Sequence, residues 1–187
     1  MAKIGLNNFR YGFLTEASDG TATYGGAKTP GKAISCNVEV ENSDASLYAN
    51  DVLAESDNAF AGGTVTIGLD RFDFQTQADL LGHTYTEPDG LKRNANDTAP
   101  YVGLGRVVVL MEDNVRKYRT EFLRKVKFSE PSQENNTKGE SVEFGTVEIE
   151  GTISALANGD WSEAKVFTKQ EDAIAHIEEL LGTVVSG

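Results

Sequence analysis

The residues of this chain whose types could do chemistry are two histidines, one cysteine and a few closely spaced carboxylates. His83 and His176 are far apart, and neither falls at metal-ligand spacing with Cys36 or with the other. His83 follows a predicted helix end and His176 falls on the polar side of the last helix, so both read as structural or surface residues. Cys36 occupies an apolar position of an alternating run, which predicts a buried free thiol rather than a reactive one. A single cysteine also rules out a disulfide within the chain, and nothing points to an oxidising compartment. Gly103-Leu104-Gly105 runs into Arg106-Val107-Val108-Val109-Leu110. A dinucleotide fingerprint needs a helix and a third glycine there, so these are strand glycines. Glu148 and Glu150 sit at alternate positions of one strand edge, the usual place for solvated acids. No serine lies in a nucleophile-elbow pattern. Asn96-Asp97-Thr98 and Asn135-Asn136-Thr137 match the glycosylation acceptor, which means little without a secretion signal. Neither an enzyme nor a cofactor or metal site is expected.

The elements that position these residues are organised around Tyr118 to Ser154. Tyr118, Thr120, Phe122, Val126 and Phe128 alternate with Lys117, Arg119, Glu121, Lys125 and Lys127, the period of two of a half-buried strand. Ser129 to Gly139 is a polar turn, and Val147, Ile149, Ile153 and Ala155 alternate again beyond it. The stretch therefore predicts one long hairpin with a basic flank, an acidic flank and a tip at about 129–139. Before it come a broken alternation over Lys3–Leu14, a Gly- and Thr-rich loop, and a strand over Ala33–Val40 with Ile34, Cys36, Val38 and Val40 on its apolar face. Glu41 to Gly62 has no sustained period yet carries Leu47, Tyr48, Val52, Leu53 and Phe60. It predicts a long arm that docks on something else, the alternative being that its apolar side chains close one end of the chain's own core. Thr64–Leu69 is a strand and Phe74–Leu81 a short helix stopped by Gly82. Glu87-Pro88-Asp89-Gly90 is a turn between short strands, and Asn158-Gly159 a hairpin turn linking Val147–Leu156 to Trp161–Phe167. The last helix, about 168–181, starts at a Thr168/Glu171 capping box and presents Ala173, Ile174, Ile177, Leu180 and Leu181 on one face. Seven or eight strands and a terminal helix predict a mainly β chain, a sandwich or barrel with a flanking helix, as one domain over 1–187.

Composition narrows the partners. With 29 acids against 17 bases the net charge is −12, which argues against a groove that grips nucleic acid. No Lys or Arg falls between Ala33 and Asp70, whereas seven of the 17 bases lie between Arg106 and Lys127. Opposite charge on different parts of one surface suits a protein that packs against copies of itself. No window approaches the roughly 20 apolar residues of a membrane helix. A soluble chain without a visible secretion signal and without a membrane partner is expected.

Several segments carry a resemblance: Ser46-Leu47-Tyr48-Ala49 through Leu53-Ala54-Glu55-Ser56, Gly62-Gly63-Thr64-Val65-Thr66-Ile67-Gly68, Ala78-Asp79-Leu80-Leu81-Gly82-His83 and Ala99-Pro100-Tyr101-Val102-Gly103. Above all, Lys125-Val126-Lys127-Phe128-Ser129-Glu130-Pro131 with Thr137-Lys138-Gly139-Glu140-Ser141-Val142-Glu143-Phe144-Gly145-Thr146 resembles the major tail proteins of long-tailed bacteriophages, in particular the phi13-like family of prophages in Gram-positive bacteria. The resemblance implies a tail tube subunit with a sandwich-like fold, assembling as six-fold rings stacked into a hollow conduit for the genome. It further implies partners among other tail proteins (tape measure, tail terminator, distal tail), passage of double-stranded DNA without specific binding, and a place in the virion tail after assembly in the host cytoplasm. Strand edges paired between copies and a repeated heterologous contact fit such a tube. Some of Glu39, Glu41, Glu143, Glu148 and Glu150 are then expected to line the bore, where carboxylates repel phosphate; the alternative is that they lie on the outer surface. Leu47, Tyr48, Val52, Leu53, Phe60, Arg119, Lys125, Lys127 and Pro131 are expected at contacts between copies. The alternatives are a monomeric ligand-binding barrel, which predicts an apolar interior pocket, and a tail-tip or adhesin module.

Overall fold

A computed structural model describes residues 2–49, 52–131 and 146–182. In chain order the strands are β1 (Ala2–Glu16), β2 (Ala22–Lys28), β3 (Ala33–Ala49) and β4 (Val52–Leu69), followed by helix α1 (Phe74–Leu81). Then come β5 (Thr84–Thr86), β6 (Gly90–Lys92), β7 (Tyr101–Glu112), β8 (Val115–Phe128), β9 (Val147–Ile153), β10 (Ser162–Phe167) and helix α2 (Gln170–Leu180). The chain is mainly β, with one large antiparallel sheet and a flanking helix, as its alternating segments predict. The sheet runs β2-β1-β7-β8-β9-β4-β3 with β10 added on β8, while β5 and β6 form a separate hairpin around the Glu87–Gly90 turn.

β8 is the pivot. One of its edges pairs with β7 from Val115 to Lys127. The other is shared: β10 takes Tyr118–Leu123, and β9 takes only Val126–Phe128. The long hairpin expected from Tyr118 to Ser154 is therefore not formed, because β9 spends its length on β4, pairing Val147–Ile153 with Leu69–Gly63. The single alternation expected along β8 also breaks. Val102 pairs with Val126 but Leu104 with Leu123, so β8 carries one extra residue at this point, a β-bulge. An extra residue reverses which face each later side chain points to. Thr120 and Phe122 lie on one face of the sheet, and Val126 and Phe128 on the other. The adjacent apolar pair Phe122-Leu123 is the sequence trace of this break.

The bulge marks where the sheet turns over on itself. Phe9 and Tyr11 from β1 and Val102 and Leu104 from β7 pack with Val65, Ile67 and Leu69 from β4 and Ile149 and Ile153 from β9, joined by Leu80 and Leu81 of α1. Each such side chain contributes about 1.5–3 kcal/mol when fully buried. α1 is capped as expected, with the Asp73 carboxylate accepting from Thr76 N and Gly82 in the left-handed region at φ 78°. The Tyr11 hydroxyl donates to Asp79 Oδ2 at 3.0 Å, tying that helix to β1.

α2 covers the opposite face of β7 and β8. Ala173, Ile177 and Leu181 are buried against Val107 and Phe122, with Tyr24 and Phe167 alongside. Gly105 makes this possible, since a Cβ there would stand 2.5 Å from Ile177 Cγ2. The expected capping box is not made: the helix begins one residue later, with Lys169 at the N-cap and no side-chain bond to the first turn. The Asn158-Gly159 turn forms, Leu156 N donating to Asp160 O at 2.8 Å, but the strands it joins both pair with β8 rather than with each other.

The largest departure concerns Glu41–Gly62, expected as a loop. It is a continuation of β3 and β4, paired from Asn42↔Phe60 to Ala49↔Val52 with a further register shift between Leu47 and Tyr48. A shift between Glu41 and Asn42 interrupts the pattern, which is why no single period runs through the sequence. β9 leaves off at Gly63, so beyond that point the two strands pair only with each other among the described residues. At the usual rise the ribbon is roughly 25 Å long.

Candidate functional site

The register fixes which side chains share a face. Val65, Ile67, Ile149 and Ile153 point into the core, so their neighbours Thr64, Thr66, Glu148, Glu150 and Thr152 point outward. Across β3 the same rows continue with Glu39 opposite Thr64, Asn37 opposite Thr66 and Ser35 opposite Gly68, and Glu41 follows opposite Gly62. Four of the five acids expected to act together, Glu39, Glu41, Glu148 and Glu150, thus lie on one outward face of β3–β4–β9, and all four are exposed. Glu143 lies outside the described residues. Threonine, serine, asparagine and glycine fill the remaining outward positions, and the Asn37 amide donates to Glu39 Oε1 at 3.0 Å. Such a face is polar, β-forming and anionic, with nothing apolar to bury. One row leads across the sheet from Glu39 through Thr64 and Thr152 to Lys127 and Tyr101. Among the described residues, positive charge on this row appears at the margin, where Lys127 Nζ stands 5.4 Å from the Tyr101 ring centre.

The residues expected at contacts between copies are dispersed. The side chains of Leu47, Tyr48, Val52 and Leu53 lie outside the described residues, although their backbones run in the ribbon. Phe60 is stacked on Trp161, with ring centres 4.5 Å apart and planes 4° from parallel, so it packs into the chain's own core. Lys125 donates to Glu16 Oε2 at 2.5 Å and stands 4.8 Å from the Tyr101 ring centre. Pro131 is half-buried at the end of the described segment. Arg119 is no outward flank: it turns inward and bonds Glu121.

That inward cluster is what sequence reasoning missed. Arg106 on β7 donates from Nε to Glu121 Oε2 at 2.6 Å and from Nη1 to the Cys36 carbonyl of β3 at 3.1 Å. Its guanidinium thus reaches from one layer of the folded sheet to an edge strand of the other. Burial alone would raise the Glu121 carboxyl, but the charges and hydrogen bonds of Arg106 and Arg119 outweigh it and hold the group below its usual range. Burial pushes the Cys36 thiol up, which fits the unreactive thiol expected there. A signal existed: Arg106 is the one charged residue in the run from Tyr101 to Met111. His83 was read as structural, and it bridges two segments, with Nδ1 2.8 Å from Asp97 Oδ2 and Nε2 against Glu130. His176 is half-buried between Phe167 and Glu163. Among the described residues, no group of three His, Cys, Asp or Glu side chains could hold a metal, and no helix is long and apolar enough to cross a membrane.

No protein-family model and no curated protein matches the chain.

Four carboxylates held by basic side chains share one sign of shift. Glu121 is held down as described, Glu16 by the Lys125 hydrogen bond and Ala157 N, Asp97 by His83 and Asn94 N, and Glu112 by Lys117. Folded values below unfolded ones mean the stabilisation is complete above the unfolded range of about 3.9–4.3 and is lost as pH falls through the folded values. The urea midpoint is therefore expected to hold between pH 7 and 5 and to fall steeply below about pH 4. A midpoint that stays flat down to pH 3 would show that these ion pairs do not support the fold.

Proposed function

We propose that the chain is a self-assembling structural subunit, a tail tube protein whose copies form stacked rings around a conduit for double-stranded DNA. The observation that carries this reading is the β3–β4 ribbon, which continues well past its last neighbour. A two-stranded hairpin alone is marginal in water. This one bears Leu47, Tyr48, Val52 and Leu53 among Asp44, Asp51, Glu55 and Asp57, and such a sequence gains stability by lying on another surface. A second copy supplies that surface in every subunit, and a repeated heterologous contact extends without limit. The polar face of β3–β4–β9 supports the same reading. With Glu39, Glu41, Glu148 and Glu150 turned to a bore, DNA meets repulsion rather than sites to stick to, and in a narrow channel screening is weaker than in bulk.

Negative-stain imaging of concentrated purified protein tests the reading. Rings or tubes with a central channel are the expected result, and a monodisperse monomer at all concentrations overturns it. A tube whose channel is lined by Lys and Arg would overturn the lumen assignment alone.

One observation favours a second reading, a monomeric ligand-binding domain. Between the two layers lies a cavity of about 320 Å³, within the size range of small-molecule sites. The two readings part on the state of association.

A further inference from the structure

His83 meets a carboxylate at each of its ring nitrogens, and its side chain is only 6% exposed. Nδ1 stands 2.8 Å from Asp97 Oδ2, in the loop between β6 and β7. Nε2 lies against Glu130 Oε1, two residues past the end of β8. A carboxylate oxygen only accepts, so both bonds exist together only while the ring carries two protons. From α1, the loop before β7 and the end of β8, the charged groups that face the ring are Asp97, Glu130 and Arg93. Arg93 Nε stands 3.7 Å from the same Glu130 oxygen, and the other side chains of this hollow, Leu81 and Phe128 among them, are uncharged. With the ring doubly protonated, two cations face two carboxylates and the cluster is neutral. Loss of one proton leaves a carboxylate in excess.

The two carboxylates are held differently. Asp97 belongs to a fixed mount, because its Oδ2 also accepts from Asn94 N at 2.8 Å. Beside His83, Gly82 packs so closely on the next residue of that loop that a Cβ would stand 2.2 Å from Thr98 O. The His83 hydrogen bond, ahead of the one from Asn94 N, holds the Asp97 carboxyl below its usual range. Glu130 is 50% exposed, and among the described residues only the His83 ring and Arg93 reach its carboxylate. A ring with one proton, kept at Nδ1 for Asp97, turns a lone pair at Nε2 toward the Glu130 oxygen and sets two acceptors in contact.

We infer that His83 is a proton-operated latch: doubly protonated, it ties the end of β8 to the corner between α1 and β5 through Glu130, and on losing a proton it releases that end. The latch rests on the ring and its neighbours alone, so it holds for either reading of the whole protein.

The Ser129 amide reports its state, since it donates to Glu150 O at 2.9 Å immediately before Glu130. Hydrogen exchange of this amide in the full chain, corrected for the intrinsic effect of pH, is measured at about pH 5 and about pH 8, which bracket the charge change of histidine. Protection should fall about tenfold from the lower to the higher pH, as for the loss of one hydrogen bond between charged groups. His83→Gln and Glu130→Gln should each abolish this dependence, and His176→Gln should keep it. Glu130→Gln changes a half-exposed side chain, so it carries the test if His83→Gln does not fold. Equal protection at the two pH values in the parent, a dependence that survives Glu130→Gln or His83→Gln, or one that vanishes with His176→Gln would each overturn the inference.

Discussion

Replacing residues 45–57 by Asn-Gly, so that a two-residue turn joins Asp44 to Asn58, is expected to abolish assembly and leave the folded subunit intact. Asp44 and Asn58 are partners across the ribbon, and Asn-Gly suits the tight turn that joins two such positions. What is removed pairs with no other strand among the described residues, whereas the core strands of β4 begin at Gly63. Thermal stability of the dilute subunit should therefore change by less than about 1 kcal/mol, as for surface changes away from buried contacts. Assembly should respond very differently. On the proposed reading each copy would lose the ribbon segment that contains Leu47, Tyr48, Val52 and Leu53, and a contact repeated at every subunit is lost at every subunit. Imaging and sedimentation at high concentration give the measurement. If the shortened chain forms rings or tubes as the parent does, the ribbon is not an assembly element. If it no longer folds, the ribbon belongs to the core after all.

The second large effect is expected at Arg106. Arg106→Met removes one of two cations on Glu121 and leaves the Cys36 carbonyl of the edge strand without its donor. Breaking a buried ion pair from one side costs about 3–5 kcal/mol. The Arg106 and Glu121 side chains are 14% and 21% exposed, so about 2–4 kcal/mol is the fitting range. For a chain of this size that lowers the melting temperature by roughly 5–15 °C. Replacing the whole cluster, with Arg106→Met, Arg119→Met and Glu121→Leu together, should recover most of the loss, since no charge then remains buried without a partner. Thermal melts of the single and triple variants decide the matter. A triple variant no more stable than Arg106→Met would mean the ion cluster does more than satisfy its own charges.

Much of the fold was legible because it is local. The alternation of Val147, Ile149 and Ile153 needs only the two-residue period of a strand, and the apolar stripe Ala173, Ile177, Leu181 only the pitch of a helix. Gly82 and the Asn158-Gly159 pair announce turns through backbone conformations that few residues adopt without strain. The shared face of Glu39, Glu41, Glu148 and Glu150 was half legible. Each acid alternates with a buried residue, which makes it outward, but only the pairing of β3 with β4 and of β4 with β9 brings the four together.

What tertiary structure alone decided is partnership. Whether the strand after Tyr118 pairs with the one ending at Ser154 depends on competition among edges: β9 pairs with β4 at seven positions and with β8 at three, where β10 holds the rest of that edge from Tyr118 to Leu123. The bulge in β8 is one residue in a long run, yet it turns Arg119 and Glu121 inward and sets them beside Arg106. Their charges read as a solvent flank as long as the strand is taken alone. In the sequence, then, lay most of the strands, the terminal helix and the acid balance. Which edge meets which, and so where the charged cluster and its cavity lie, came from long-range pairing, which no local period encodes.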